Sequence, residues 1–395
     1  MVGLALPGGL NAAAFLTQHW QKKPLLMRGA VDPQQFSLSA DEVAGLALEP
    51  DVEARLLVPD AHGQMMVSEP PFASEDFTGL PPRDWTLLVN DVEKHLPELA
   101  GFLDDFDFIP SWRFDDLMIS VAAPGGGVGP HVDQYDVFLC QMQGHRRWKI
   151  GEAGNHKESS VAGLRQIAPF VVSEEYLLGL GDVLYLPPGI PHDGVAEDLC
   201  CTWSVGFRAP TAAELATGLE IGVNNIEGAA RYCDPDLAVI ESRPGLIGQR
   251  ALERFRSLVG KRSGNDETFR IKLGEFLTTP KPWLTALPPP KHIAAGELSR
   301  RLTSGEPLRR HGMAIFAHMQ CVGEHCFFAS GRTYRVAGLE IQLAQLLCAK
   351  REFTGGDFGP LSPDGPEIQL LASLYNQGQM LFENDWENDG DQLPG

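Results

Sequence analysis

The stretch that decides the fold is LMISVAAPGGGVGPHVDQYDVFLCQMQGHRRWKI, residues 117–150. Short apolar runs alternate in it with glycine, proline and polar turns, a pattern typical of β-strands. The pattern continues beyond this stretch, and strands are predicted at 117–123, 136–143, 146–150, 182–187 and 201–207. Because no helical segments separate these strands, an antiparallel sheet, sandwich or barrel is expected.

The glycine-rich run GGGVGP at 125–130 raises the question of a phosphate site. A phosphate-binding loop runs from a strand into a helix and carries a Gly-Lys-Ser/Thr or Gly-x-Gly-x-x-Gly signature. Neither signature is present, and a strand is predicted to follow. We interpret the glycines as a tight lip that lets backbone approach a ligand closely, with a plain loop as the alternative.

A histidine and an aspartate follow the glycines with one residue between them, His131 and Asp133. Alternate side chains of an extended segment point to the same side, so both can face one ligand. A third candidate, His192, follows the strand and the proline-glycine turn of DVLYLPPGIPHDG. Two histidines and one carboxylate on one face form the facial triad of non-haem Fe(II) oxygenases, which leaves positions open for cosubstrate and oxygen.

Chance pairs are the alternative to this metal site, because the chain has 11 histidines. A second pair of this kind, His156 and Glu158, lies in the polar stretch GEAGNHKESS, which is predicted to be a solvated loop. The glycine lip and the PPGIPH turn distinguish the first pair from an ordinary surface pair.

A 2-oxoglutarate cosubstrate would need a buried cation for its distal carboxylate. In HRRWKI, Trp148 and Ile150 are expected to face the barrel interior. Strand alternation then places Arg146 inward and leaves Arg147 and Lys149 facing solvent. The planar guanidinium of arginine matches a carboxylate bidentately. A structural ion pair of Arg146 is the alternative.

The same alternation groups Asp116, Met118 and Ser120 on the strand DDLMISVAA. Ser120 could therefore add a hydroxyl group to the cosubstrate carboxylate. Asp116 lies on the same inward face, and Gln134 and Tyr135 follow the metal candidates at the expected mouth of the barrel. These three residues are the candidates for binding a substrate. The alternative for Asp116 is a structural role as a partner of Arg113.

Composition and charge narrow the class of protein. Of 395 residues, 43% are hydrophobic and 21% charged, which are ordinary globular values. The formal net charge of -20, from 32 basic and 52 acidic residues, disfavours nucleic acid as a partner and favours basic substrates, unless it serves solubility alone. The acidic segment at 383–391 contributes to this net charge and indicates no further function. No secretion signal and no apolar run of about 18 residues is present, so a cytoplasmic protein without a membrane partner is expected.

The cysteines predict neither disulfides nor zinc. The seven cysteines are an odd number without paired spacing and are expected to be reduced, mostly buried thiols: Cys140, Cys200, Cys201, Cys233, Cys321, Cys326 and Cys348. Cys321 and Cys326 flank His325, but a structural zinc site needs four ligands.

The predicted secondary structure changes near residue 210, from mainly strands to mainly helices. Before it, a helix running into a strand is predicted at 13–30 and an amphipathic helix at 85–106. After it, helices are predicted at 211–226, 248–260, 266–279, 294–303, 339–353 and 366–377, with strands at 313–319 and 326–330 and a stiff linker at 282–292. The predicted domains are a barrel at 1–210, a helical region at 211–285 and a winged-helix-like domain at 286–395. The helical region needs an apolar partner surface, either the barrel or a second copy of the chain.

Four stretches together resemble one family: FLTQHWQKKPLLMRGA, WRFDDLMISVAAPGGGVGPHVDQYDVFLCQMQGHRRWKI, GDVLYLPPGIPHDG and WSVGFRAP. They are similar to the bacterial ribosomal oxygenases of the JmjC-cupin superfamily. The resemblance covers about residues 15–210 strongly and the rest more weakly. It implies a mainly β fold with α-helices, a double-stranded β-helix barrel followed by a helical dimerisation segment and a winged helix. It also implies iron ligands at His131, Asp133 and His192 and cosubstrate residues at Ser120 and Arg146.

The resemblance further implies hydroxylation of an arginine in the large-subunit ribosomal protein L-sixteen. Related histidine hydroxylases usually have lysine where this chain has Arg146, and JmjC demethylases usually have glutamate at the position of Asp133. The expected protein is a homodimeric dioxygenase that uses Fe(II), 2-oxoglutarate and O₂ on a basic ribosomal protein. The alternatives are a histidyl hydroxylase of the same class, a cupin isomerase or zinc hydrolase that would not need Arg146, and a non-catalytic ribosome-associated binding protein.

Overall fold

A computed structural model describes residues 10–152, 154, 157–161, 164–221, 229–239, 243–260, 265–359, 362, 365–382 and 385. The chain forms two compact units. The first comprises the N-terminal part to residue 108, residues 113–209 and residues 233–239, and the second comprises 109–112, 210–232 and 240 onward. His156, the acidic segment at 383–391 apart from Asp385, and the end of the predicted helix at 211–226 lie outside the described residues.

The first unit is built around two antiparallel sheets. Its strands are β1 (Leu25–Met27), β2 (Ala54–Pro59), β3 (Met65–Ser68), β4 (Thr86–Val89), β5 (Phe114–Ala122), β6 (His131–Val132), β7 (Asp136–Gln143), β8 (Arg146–Gly151), β9 (Lys157–Val161), β10 (Leu164–Ala168), β11 (Val172–Leu178), β12 (Val183–Leu186), β13 (Pro191–Ala196) and β14 (Cys200–Phe207). An eight-stranded sheet has the order β1-β12-β7-β14-β5-β4-β2-β3, a four-stranded sheet has the order β11-β8-β13-β6, and β9 and β10 form a hairpin. The five predicted strands are β5, β7, β8, β12 and β14, and the predicted double-stranded β-helix is confirmed.

The barrel interior follows the expected alternation of side chains. Its apolar cluster draws on β7, β8, β11 and β12, and its buried members are Val137, Leu139, Trp148, Ile150, Leu178, Leu184 and Leu186. On β8 the inward residues Arg146, Trp148 and Ile150 are buried, whereas Arg147 and Lys149 are only half-buried. The predicted orientation of this strand is therefore correct.

The prediction of one amphipathic helix at 85–106 is wrong. The first unit has short helices α1 (Ala12–Gln18), α2 (Ala40–Leu46), α3 (Ser74–Thr78) and α4 (Val92–His95). Residues 86–89 form β4, which pairs with both β2 and β5 and is buried throughout. Asp91 has a left-handed φ of 55°, and Pro97 opens a 3₁₀ segment that runs to Phe106. Short apolar runs such as TLLV suit a buried strand or a buried helix equally, and here pairing on both edges decides for the strand.

Six further strands of the first unit were not predicted: β2, β3, β9, β10, β11 and β13. Among them, β11 is largely exposed, and its sequence therefore lacks a buried, alternating face. Strand β9 also corrects the loop predicted around Glu158, since that residue lies on the strand. Its side chain is exposed, as expected for a solvated position.

The second unit is a helical and β region with its own core. Its elements are α5 (Ala212–Gly218), α6 (Gln249–Val259), α7 (Asp266–Thr278), α8 (Ala295–Thr303), β15 (Leu308–Arg310), β16 (Phe316–Gln320), β17 (His325–Ala329), β18 (Arg332–Val336), α9 (Leu339–Ala349), β19 (Glu352–Phe353), α10 (Pro366–Asn376) and β20 (Met380–Phe382). The predicted elements are present, with two corrections. The helix predicted at 211–226 ends at Gly218, before the non-helical residues 219–221, and the helix predicted at 339–353 ends at Ala349. The residues that follow form β19, which pairs with β15.

The apolar faces of α6 and α7 pack against the hairpin of β16 and β17. Phe255, Phe269 and Leu273 share one buried cluster with Met319 and Phe328 of that hairpin. The sequence analysis expected the barrel or a second copy as the partner surface, whereas the structure provides this hairpin. The division of the second unit into a helical region and a winged-helix-like domain stays a prediction, because both ranges lie in one compact unit.

All seven cysteines are free thiols, six of them buried, as the sequence predicted. The described helices include none that combines the length and the apolar character needed to cross a membrane.

Candidate metal centre and cosubstrate pocket

The three candidate ligands come together at one end of the four-stranded sheet. Strands β6 and β13 are antiparallel, with His131 directly opposite His192. The imidazole centroids are 4.2 Å apart. Asp133 Oδ2 lies 3.9 Å from Nε2 of His131 and 3.5 Å from Nε2 of His192. Among the described residues, these three form the one group of His, Cys, Asp or Glu side chains close enough to share a metal ion.

Backbone carbonyls orient both imidazoles. Nδ1 of His131 donates to the carbonyl of Gly129 and Nδ1 of His192 to that of Ile190, each at 2.9 Å. A carbonyl oxygen only accepts, so the proton stays on Nδ1 and the Nε2 lone pair is left for a metal. Both histidines are thus held in the tautomer that ligation requires.

The electrostatics of the centre also favour a metal. Burial, followed by repulsion from His131, lowers the pKa of His192 to about 4, against the attraction of Asp133. His192 is therefore neutral at neutral pH, the state in which imidazole binds a metal. His192 is 2% exposed, whereas the side chains of His131 and Asp133 are 21% and 22% exposed. The centre is closed on the His192 side and accessible on the other.

The glycine lip brings two backbones together. A Cβ on Gly127 would lie 2.5 Å from the carbonyl oxygen of Gly194, on β13. The amide of Gly125 donates to Ala196 at 2.8 Å, and the amide of Ala196 donates to Gly126 at 2.9 Å. Gly127 therefore closely approaches the strand that carries His192. The predicted close approach of the glycine run to a ligand stays a prediction. No side chain larger than hydrogen fits Gly127 without a shift of β13.

Arg146 and Ser120 form the candidate cosubstrate pocket. Arg146 is 5% exposed, and its Nη1 donates to Ser120 Oγ at 2.9 Å. Its Nε and Nη2, together with Nε1 of Trp148, are buried donors that no described residue accepts from. A buried donor without an acceptor costs about 1–3 kcal/mol, so this group of donors fits an anionic ligand such as a carboxylate. No described carboxylate forms an ion pair with Arg146, in contrast to the structural alternative.

Trp148 joins the pocket to the metal centre. Its ring centroid lies 5.8 Å from the guanidinium carbon of Arg146 and 5.8 Å from the imidazole centroid of His192. The sequence analysis did not assign a role in the site to Trp148, although its inward position, two residues after Arg146, was a usable signal.

Two of the three candidate substrate residues, Asp116 and Tyr135, lie close together. A Cβ on Gly206 would lie 3.0 Å from Asp116 Oδ1 and 3.9 Å from the ring of Tyr135, so Asp116 and Tyr135 border the same glycine. Desolvation, followed by the carboxylates of Asp133, Asp116 and Asp115, raises the pKa of the Tyr135 phenol well above its ordinary value. The Tyr135 phenol therefore lies near several carboxylates, one of which belongs to the metal candidate Asp133. Gln134 is exposed. Arg113 is fully buried and bonds to Asp234 at 2.5 Å and to Asp136 at 3.4 Å.

Comparison with protein families gives two matches. The JmjC domain matches residues 101–215, and a ROXA-like winged helix matches residues 260–380. The chain is 35% identical over 379 residues to the ribosomal protein uL16 3-hydroxylase of Escherichia coli, covering 95% of this chain and 98% of that protein. It is 33% identical over 277 residues to the probable ribosomal oxygenase of Haemophilus influenzae, covering 68% of each chain.

Solved structures agree with these relatives. The ribosomal oxygenase YcfD from Escherichia coli in complex with cobalt and 2-oxoglutarate superimposes with a TM-score of 0.75 at 34% identity, covering 96% of this chain and 99% of that chain. The complex of YcfD with cobalt and succinic acid matches with the same TM-score, identity and coverage.

Proposed function

The chain belongs to the ribosomal oxygenases, here a JmjC domain with a ROXA-like winged helix, and from that membership we propose that it hydroxylates an arginine side chain of the large-subunit ribosomal protein uL16. The reaction depends on Fe(II), 2-oxoglutarate and O₂. The observation that carries the proposal is the pairing of the His131, Asp133 and His192 triad with the buried donors of Arg146.

The residues of this chain bind and orient the reactants. Nε2 of His131, Nε2 of His192 and the carboxylate of Asp133 would hold Fe(II), while Arg146 and Ser120 would bind the distal carboxylate of 2-oxoglutarate. Bound there, Fe(II) and 2-oxoglutarate supply the oxidising chemistry, in which O₂ is consumed, 2-oxoglutarate becomes succinate and CO₂, and one oxygen atom enters a C–H bond. The carbonyls of Gly129 and Ile190 keep the imidazoles in the ligating tautomer.

The carboxylates near Tyr135 account for an arginine substrate. Asp116 would accept the fork of a guanidinium, and the ring of Tyr135 offers a surface for it to pack on. A lysine ammonium is a compact point charge and cannot bridge a carboxylate bidentately, so lysine should be a poor substrate. Asp116 and Ser120 lie four residues apart on β5, roughly 13 Å along the strand, which separates the substrate end from the cosubstrate end.

Mass spectrometry tests this function. A basic peptide of uL16 is incubated with the protein, Fe(II), 2-oxoglutarate and air, beside the same peptide with lysine in place of the arginine. One added oxygen on arginine, no reaction of the lysine peptide and no product with His131→Ala are expected. Oxygen on a histidine, or loss of a methyl group from a methylated peptide, would overturn the proposal.

We also propose a homodimer that acts in the cytoplasm. The dimer rests on the family resemblance, and the location rests on the ribosomal substrate. Sedimentation equilibrium of the full chain at several concentrations tests the dimer, which a monomer mass at all of them would refute.

A further inference from the structure

A buried ionic cluster on α4 and the residue that precedes it lies beside β5. Asp91, Glu93 and Lys94 are 1%, 4% and 8% exposed. Nζ of Lys94 bonds to Asp91 Oδ1 and lies 2.9 Å from Glu93 Oε1. Although burial opposes its charge, the carboxylates of Glu93 and Asp91 keep the pKa of Lys94 above its ordinary value. Lys94 is therefore charged inside the protein, within reach of two carboxyl groups.

Side chains of this cluster take the place of a missing strand. Strand β4 pairs with β5 from Ala122 only as far as Ile119, where Val89 is the last partner. Beyond that point the amide of Leu117 donates to Glu93 Oε2 at 2.9 Å, and the carbonyl of Asp115 accepts from Lys94 Nζ at 3.0 Å. The two backbone groups held in this way belong to the neighbours of Asp116 on either side.

The opposite edge of β5 is irregular at the same place. Strand β14 pairs regularly as far as Val205 with Leu117, and the register then shifts before Phe207 pairs with Phe114. The residue within this shift is Gly206, which borders the Asp116 carboxylate. Regular pairing of β5 thus stops at Ile119 on the β4 edge and at Leu117 on the β14 edge. The cluster holds the backbone on either side of Asp116, beyond both points.

A role beyond stability fits the energetics of such a cluster. Buried ion pairs pay a desolvation cost that offsets most of their attraction, and well-packed apolar residues of similar volume often stabilise a fold equally well. Apolar residues could not replace the cluster here, because its polar atoms satisfy the amide of Leu117 and the carbonyl of Asp115 at the same time.

We propose that Asp91, Glu93 and Lys94 are positioning residues for the substrate arginine, which hold the backbone around Asp116 so that its carboxylate meets the guanidinium at the mouth. This inference rests on the proposed function, in which Asp116 receives the arginine. The cluster acts through Asp116, whereas Ser120 of the cosubstrate pocket lies where β4 still pairs with β5.

The test is the double variant E93L/K94M in the full-length protein. It removes both backbone contacts and leaves the net charge of the cluster unchanged. We expect the KM for the arginine peptide to rise about 10-fold, the equivalent of one lost hydrogen bond, with an unchanged KM for 2-oxoglutarate. E93Q/K94M, which retains an acceptor for the Leu117 amide, should recover part of the loss. If E93L/K94M does not fold, E93Q/K94M carries the test, with a peptide KM raised about 3-fold and the same split.

The variant Asp116→Asn distinguishes the substrate role of Asp116 from the positioning role of the cluster. If Asp116→Asn raises the peptide KM and the cluster variants do not, the cluster is only structural and the inference is overturned. If Asp116→Asn leaves the peptide KM unchanged, the substrate role of Asp116 fails and the inference fails with it. A parallel rise in the KM values for peptide and 2-oxoglutarate would indicate general damage to the barrel and would also overturn the inference.

Discussion

Arg146 and Arg147 are adjacent on β8 but differ in burial and in their hydrogen-bond partners. Arg146 is buried with free donors, whereas Arg147 is half-exposed and pairs with Glu175 and Glu197. A charge-assisted hydrogen bond contributes about 1.5–3 kcal/mol, so Arg146→Met should raise the KM for 2-oxoglutarate about 10- to 100-fold. The matched variant Arg147→Met should change it less than about 2-fold, because exposed ion pairs contribute little. Equal effects in succinate-release assays would mean that the cosubstrate does not bind at Arg146.

Gly194 lies against Trp148, the residue between the cosubstrate pocket and the metal centre. A Cβ there would lie 2.6 Å from ring atoms of Trp148, a distance that forces the ring to shift. Gly194→Ala should lower the free energy of unfolding by about 1–3 kcal/mol and weaken 2-oxoglutarate binding, because Trp148 contacts Arg146. The control is Gly45→Ala in α2, where an added Cβ meets nothing within 4 Å. This variant should stabilise the protein by up to about 1 kcal/mol, because alanine favours a helix more than glycine does. Wild-type thermal unfolding and KM in Gly194→Ala would contradict the expected clash.

At the scale of elements, the 3₁₀ segment Pro97–Phe106 carries a half-buried carboxyl group with a raised pKa. Burial, followed by repulsion from Asp104 and Asp107, raises the pKa of Asp105 to about 6 from an ordinary 3.8. A carboxyl with a raised pKa in the folded state contributes its full stability below the unfolded pKa and loses it as the pH rises through the folded pKa. The loss therefore falls between about pH 4 and pH 6.

Asp105→Asn should remove this dependence. Because the group is half-buried, the variant should gain about 1 kcal/mol or less over wild type at pH 7.5, and nothing at pH 4, in urea unfolding. Glu158→Gln, at an exposed position on β9, is the control and should match wild type at both values of pH. A gain at pH 4 equal to that at pH 7.5 would exclude the titration of Asp105 as its cause.

At the scale of the whole molecule, the first unit does not end at residue 210. Asp234 is fully buried and accepts from Arg113 Nη1 at 2.5 Å and from Trp20 Nε1 at 3.0 Å. Residues 233–239 therefore belong to the first unit, although they follow the predicted boundary. In this segment, Asp234 supplies a counter-charge for the buried guanidinium of Arg113.

Removing that counter-charge should destabilise the barrel. Asp234→Ala should lower the free energy of unfolding by about 3 kcal/mol, since it leaves a buried arginine without one partner. A chain that ends at residue 210 should be destabilised at least as much, whereas one that ends at 239 keeps the contact. Circular dichroism melting measures all three. A chain ending at 210 that melts like the one ending at 239 would contradict the role of Asp234.

The sequence by itself determined the features that depend on local geometry. Alternation of side chains along an extended backbone follows from covalent structure, so β5, β7, β8, β12 and β14 and the inward face of Arg146 could be predicted. The spacing of His131 and Asp133 and the turn before His192 were likewise visible, and the structure brings these three side chains together. The activity itself came from the resemblance that these motifs carry.

Only the tertiary structure decided the features that depend on distant partners. TLLV at 86–89 became a strand because β2 and β5 lie on either side of it, which no property of the segment reveals. Glu93 and Lys94 cap the edge of β5, and Asp234 meets Arg113 across 121 residues. A charge in the sequence does not say which buried group it will satisfy, because that pairing exists only once the fold has excluded water from both.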